Sequence, residues 1–132
     1  MSDDAGPDAS PATEPCPPPT ELRVSKDRRT LTVGFPGGES YAIPAELLRV
    51  ESPSAEVQGH APSQKVLVAG KRDVAIIGVE PVGNYAVRLR FDDLHATGIY
   101  PWGLLRRMGR GATEMMADYE ARLAERGLSR AT

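Results

Sequence analysis

A chain of 132 residues, 40% hydrophobic and 5% aromatic, has room for one domain around a modest aliphatic core. The formal net charge of -2 conceals an asymmetry, because residues 1–20 hold Asp3, Asp4, Asp8 and Glu14 with no base, and the rest carries 14 acids against 16 bases; so weak a basic balance excludes a nucleic-acid footprint. The single cysteine excludes an intrachain disulfide and fits a reducing compartment, and the lack of any leader pattern or apolar run of about 18 residues predicts a soluble, cytoplasmic protein.

Residues 1–20 contain half of the 12 prolines and too little apolar surface to offset their ordering entropy. They read as a disordered, Pro-rich acidic tail, with Cys16 in "EPCPPPT" lacking any nearby basic or histidine residue to activate it. From Glu21 the pattern becomes period two. Leu22 and Val24, then Leu31, Val33 and Phe35, then Tyr41 and Ile43 predict three strands joined by turns at "KDRR" and "PGG". Pro44 suits the first turn of a helix over "PAELLR", which Pro53 keeps short by restricting Ser52.

A second hairpin follows in "VAIIGVEPVGNYAVRLRF". A three-residue loop, Val82 to Asn84, pairs Val79 with Val87, Ile77 with Leu89 and Ala75 with Phe91, leaving Glu80, Arg88 and Arg90 on the wet face. Asn84 would then take the left-handed position. "TGIYP" predicts a last strand. "PWGLLRRMG" predicts a short helix stopped by Gly109, and "TEMMADYEARLAERG" a longer amphipathic one with Met115, Met116, Tyr119 and Leu123 on one side. Gly127 suits the position after its C-terminus, with Leu128 as the hydrophobic contact. Strands first and helices interspersed or terminal, without βαβ alternation, indicate an α+β domain: a small, mostly antiparallel set of five to six strands, short helices and a C-terminal amphipathic helix. The expected organisation is a tail over 1–20, a domain over 21–109 and a C-terminal helical segment over 110–132.

Several chemistries are excluded by pattern. "VAGKRD" is no phosphate loop, so Lys71 is not a nucleotide-binding lysine, and no G-x-G-x-x-G occurs. Neither histidine has the setting of a serine triad. Asp92, Asp93 and His95 in "FDDLHATG" are the principal candidates. One histidine and two carboxylates can hold a divalent cation. They can equally close a turn, with the aspartates accepting backbone N–H groups and His95 packing locally. His60, between Gly59 and Pro62, marks a second polar loop that binds something or is merely exposed.

The blocks "YAIPAELLRVESPSAEVQGH", "GKRDVAIIGVEPVGNYAVRLRFDD" and "HATGIYPWGLL" together resemble the gamma-butyrobetaine hydroxylase-like N-terminal domain family over about residues 21–109. In the carnitine-pathway hydroxylases the matching passage carries a C-P-C-x-x-C zinc cluster completed by a later histidine. The resemblance places those thiolates on Ser52, Ser54 and Val57 and the histidine on His95, so it implies a zinc-loop framework stripped of its ligands. It also implies no catalytic domain, since the hydroxylases work through a separate Fe(II)/2-oxoglutarate oxygenase domain. Members often have glycine where Leu94 stands, which implies either a strained Leu94 at positive φ or a different turn. Related domains are fused to Mrp-type iron–sulfur carrier ATPases. By that resemblance the chain is expected to be a non-enzymatic accessory or binding module with a protein partner, a monomer or weak homodimer, and no cofactor. Its contacts would be Glu56, His60, Asp92, Asp93 and His95, flanked by Arg88 and Arg90. The alternative is a zinc- or iron-binding domain using His95 with Asp92 or Asp93.

Overall fold

The computed structural model describes residues 16–53, 67–95 and 98–131. The architecture is α+β. Among the described residues, six strands fall into two three-stranded antiparallel sheets, each a meander. The first contains β1 (Glu21–Val24), β2 (Thr30–Gly34) and β3 (Ser40–Pro44). Leu22 faces Val33, Val24 faces Leu31, and Leu31 faces Ile43, so the expected alternation sets the register. Arg28 at φ 63° and Gly37 and Gly38 at φ 92° and 94° form the two turns. Pro44 ends β3 and precedes α1 (Ala45–Val50), a helix as short as Pro53 requires.

The second sheet contains β4 (Ile76–Val82), β5 (Ala86–Phe91) and β6 (Ile99–Pro101). Its hairpin differs from the expected register. Val79 pairs with Leu89, Glu80 with Arg88 and Val82 with Ala86, so a three-residue loop exists but comprises Gly83, Asn84 and Tyr85. Gly83, not Asn84, takes positive φ, at 54°. A shift of two residues preserves the faces, which is why Glu80 still meets Arg88 and Arg90 on the wet side. Between Ile76 and Gly78 the ladder shifts register, inserting Ile77 as a bulge. The bulge inverts the alternation. Ile76 is buried opposite Phe91, whereas Ile77, expected inside, is 42% exposed.

The C-terminal half also differs from the expected pair of helices. Trp102–Glu125 is one continuous helix, α2, and no helix end occurs at Gly109. Its Leu105, Met108, Tyr119 and Leu123 are buried in the same core as Leu31, Ile43, Leu47, Leu48, Ile76, Leu89, Phe91 and Tyr100. Met115 and Met116 pack partly against that core within the chain. Beyond α2 the Gly127 cap forms as expected, with φ 67° and the Leu128 N–H bonded to Leu123 O at 2.8 Å.

The chain then returns across the segment before β4. Gly70 N–H donates to Ser129 O and Arg72 N–H to Arg130 O, both at 2.9 Å. Residues 16–20, placed in the tail by composition, are held at their end by Thr20, whose N–H donates to Gly34 O at 2.7 Å, while Cys16 packs partly on the core. Among the described residues no helix is long and apolar enough to cross a membrane.

Candidate functional site

β5 ends at Phe91 and the chain reverses through Asp92, Asp93 and Leu94 to His95. The reversal is closed from within. The Leu94 N–H donates to Phe91 O and the Phe91 N–H to His95 O, each at 3.0 Å. Asp92 fastens the turn to the start of β4: its N–H donates to Ala75 O at 2.9 Å, and its Oδ1 accepts the Ala75 N–H at 3.0 Å. Asp93 Oδ1 accepts the His95 N–H at 3.1 Å, the Asx geometry that aspartates adopt in turns. The backbone-bonding reading of both aspartates is the one that the fold realises.

Asp93 does more. Its Oδ2 lies 2.7 Å from Arg49 Nε on α1 and 2.6 Å from Lys71 Nζ. Burial works against ionisation of Asp93, but hydrogen bonds from Lys71, the His95 N–H and Arg49 outweigh it and hold the pKa at about 2. Arg49 Nη1 is buried without a hydrogen-bond partner among the described residues. Lys71, Asp92 and Asp93 also line a surface pocket of about 290 Å³ with Gly70, Asp73 and Val74. Arg49 and Lys71 escaped the sequence reading because their shared partner is remote in the chain, 44 residues away in the case of Arg49. No local pattern announces such a pair.

The depressed pKa has a testable sign. A carboxyl with a folded pKa of about 2 against 3.8 ordinarily stabilises the fold fully above about pH 4 and loses that contribution as pH falls toward 2. Asp93→Asn is therefore expected to lower the urea midpoint at pH 7, where it strands Arg49 and Lys71 beside an uncharged amide. The gap to the wild type should narrow between pH 4 and pH 2. Parallel profiles across that window would show that Asp93 has no coupling to the two cations.

His95 and Ser52 meet inside the protein. His95 is 6% exposed and Ser52 fully buried, with Ser52 Oγ 3.0 Å from His95 Nε2. The His95 ring tilts against Phe91 at 6.3 Å between centroids. Gly98 completes the enclosure, since a Cβ there would lie 2.5 Å from Ser52 Oγ. Nearby, the Tyr100 hydroxyl donates to Leu48 O, and burial raises its pKa well above the ordinary phenol value.

A zinc site of the kind the hydroxylases carry does not fit these residues. His95 Nε2 is hydrogen-bonded to Ser52, which stands at one thiolate position. Among the described residues no three His, Cys, Asp or Glu side chains are grouped to hold a metal ion. Ser54, Glu56, Val57 and His60 lie outside the described residues. Arg88 and Arg90, expected as a basic flank of the site, reach Glu80 on the open face of the second sheet.

What remains prominent at the turn is Leu94. It has φ 72°, the first of the two outcomes that the glycine of related sequences implied, and it is 89% exposed.

Comparison with known proteins places these features in context. Residues 22–106 match the model of the family described as gamma-butyrobetaine hydroxylase-like, N-terminal. No curated protein matches the chain. A protein solved by NMR in solution is 45% identical, with 89% of this chain and 92% of that one covered and a TM-score of 0.77. A second NMR structure is 39% identical over 99% of this chain and 91% of the other, with a TM-score of 0.75. A crystal structure at 1.93 Å of a protein of unknown function from Acidithiobacillus ferrooxidans, assigned to the DUF971 family, is 37% identical. It covers 76% of this chain and 98% of its own, with a TM-score of 0.58.

Proposed function

The chain belongs to the gamma-butyrobetaine hydroxylase-like N-terminal family, and from that premise we propose that it is a non-catalytic module that docks on a protein partner through the Asp92–His95 turn. The observation that carries this reading is the contrast within the turn. Asp92, Asp93 and His95 are bonded to neighbouring backbone or side chains, while Leu94 projects into solvent in a left-handed conformation. Such a backbone costs a leucine about 1 kcal/mol, and an exposed side chain recovers none of it by burial. Strain and exposure together suit a residue whose gain comes on binding.

Acid–base catalysis is poorly served here. Asp93 is fixed as a carboxylate between two cations, and a general acid or base near neutral pH needs a pKa close to 7. The partner proposed is an Mrp-type iron–sulfur carrier ATPase or a related enzyme, following the domain fusions of similar sequences. With one cysteine in the chain, the module would contribute docking surface and not a thiolate cage.

Leu94→Gly separates this role from folding. The variant is expected to be as stable as the wild type or more stable by about 0.5–1 kcal/mol, because glycine accepts positive φ at a small entropic cost. Binding to the purified carrier ATPase, followed by titration calorimetry, should weaken at least about tenfold, the loss of one buried leucine contact. Equal affinity of wild type, Leu94→Gly and His60→Ala for a bound partner would remove the site. Metal binding through His95 with Asp92 or Asp93 would compete with their bonds to Ser52, Ala75, Arg49 and Lys71. Elemental analysis of untagged protein beside His95→Ala tests it, and stoichiometric zinc or iron lost in that variant would favour the metal reading.

A further inference from the structure

We propose that the acidic segment of residues 1–15 docks on the outward face of α2 formed by Arg106, Arg107 and Arg110. These three arginines fall within a sector of about 100° on the helix, opposite the buried Leu105 and Met108. They lie in the second and third turns of α2, and no acid stands in its first turn. The helix's own acids, Glu114, Asp118, Glu120 and Glu125, all lie in its C-terminal half.

Only one carboxylate among the described residues offsets the arginines. Glu39 is shared by Arg106 and Arg110, each at 2.7 Å. Arg107 is exposed and makes no ion pair among the described residues. The patch keeps positive charge that its one carboxylate does not balance.

The occupant follows from where the described chain begins. Cys16 lies partly buried with its Sγ 3.8 Å from Arg106 Nη1, so the described chain begins at the edge of this patch, and residues 1–15 precede it in sequence. They contain Asp3, Asp4, Asp8 and Glu14 and no base. Fully extended they reach up to about 50 Å, while Arg106 and Arg110 are about 6 Å apart along the helix axis, so reach sets no limit. A tether this short keeps the acids at millimolar effective concentration beside the arginines. Contacts of exposed charges are weak singly and screened by salt, so docking should be partial and sensitive to ionic strength.

The test uses the full chain with a nitroxide on Ser10→Cys in a Cys16→Ser background. Relaxation of backbone amides is compared between this tail and one carrying Asp3→Asn, Asp4→Asn, Asp8→Asn and Glu14→Gln. Tethering alone broadens signals near residue 106 equally in both. Docking by charge is expected to give at least about twofold greater loss at residues 103–111 for the acidic tail at low salt, with the excess removed near 0.5 M NaCl. Arg107→Glu, an exposed change that leaves the core intact, should remove most of that excess. Equal broadening with both tails would overturn the proposal. So would an excess centred on another surface, or one that survives high salt.

Discussion

Replacing Arg130 by alanine is expected to destabilise the protein by about 2–3 kcal/mol, one of the largest losses available outside the apolar core. Arg130 bonds both oxygens of Glu46, with Nη2 to Oε1 at 2.8 Å and Nε to Oε2 at 2.9 Å, and Nη1 approaches Glu120 at 3.5 Å. Glu46 lies on α1 and is only 5% exposed, so without the guanidinium its carboxylate would remain in a low-dielectric setting with no cation. Breaking a fully buried pair costs about 3–5 kcal/mol. Arg130 is 35% exposed, and water entering at its end lowers the cost.

The same arginine closes the C-terminal return, because its carbonyl accepts the Arg72 N–H and the preceding Ser129 carbonyl accepts that of Gly70. These bonds hold the segment that presents Lys71 to Asp93. Urea unfolding of Arg130→Ala, Glu46→Ala and the double variant should give a coupling of about 2 kcal/mol, since removing both charges leaves neither stranded. Arg130→Lys keeps the charge but not the fork and should recover only part of the loss. A change below about 0.5 kcal/mol for Arg130→Ala would mean that Glu46 is hydrated in the folded protein.

This clasp joins residues 84 apart, and nothing in "PAELLR" or "GLSRAT" signals it. The strands were legible because their cause is local: one face of Leu31, Val33 and Phe35 must be buried, and period two follows. Leu94 was legible through the glycine of related sequences, and the roles of Asp92 and Asp93 through turn chemistry. The register of the second hairpin was not. Two registers separated by two residues keep the same side chains inside, and the bulge at Ile77 then exchanges Ile77 for Ile76 at a point that no alternation marks. Arg49 and Lys71 illustrate the other limit. A half-buried carboxylate recruits whatever cations the fold brings to it, and that neighbourhood is tertiary.

The continuity of α2 has the same origin, and its consequence is a pair of opposite effects. Gly109 reads as a helix end because glycine lowers helix propensity by about 1 kcal/mol against alanine and commonly follows a C-terminus. In the structure it faces β3, where a Cβ would lie 2.5 Å from both Cβ and Cγ of Tyr41 and 2.9 Å from Cδ2. The Tyr41 Cβ is fixed by its strand and cannot swing aside, so alanine at 109 must push α2 away from the sheet. Overpacking of this kind costs about 1–3 kcal/mol or more, which exceeds the gain in propensity. Gly109→Ala is therefore expected to destabilise by about 2 kcal/mol. Two residues on, a Cβ at Gly111 would meet only Met115 Cγ and Sδ at 3.8 Å, an ordinary contact. Gly111→Ala should stabilise by about 1 kcal/mol through helix propensity alone. Urea denaturation of the two variants decides between explanations. If Gly109→Ala stabilised as much as Gly111→Ala, α2 would not rest on β3 at Tyr41, and the helix would owe its straight passage to propensity and not to that contact.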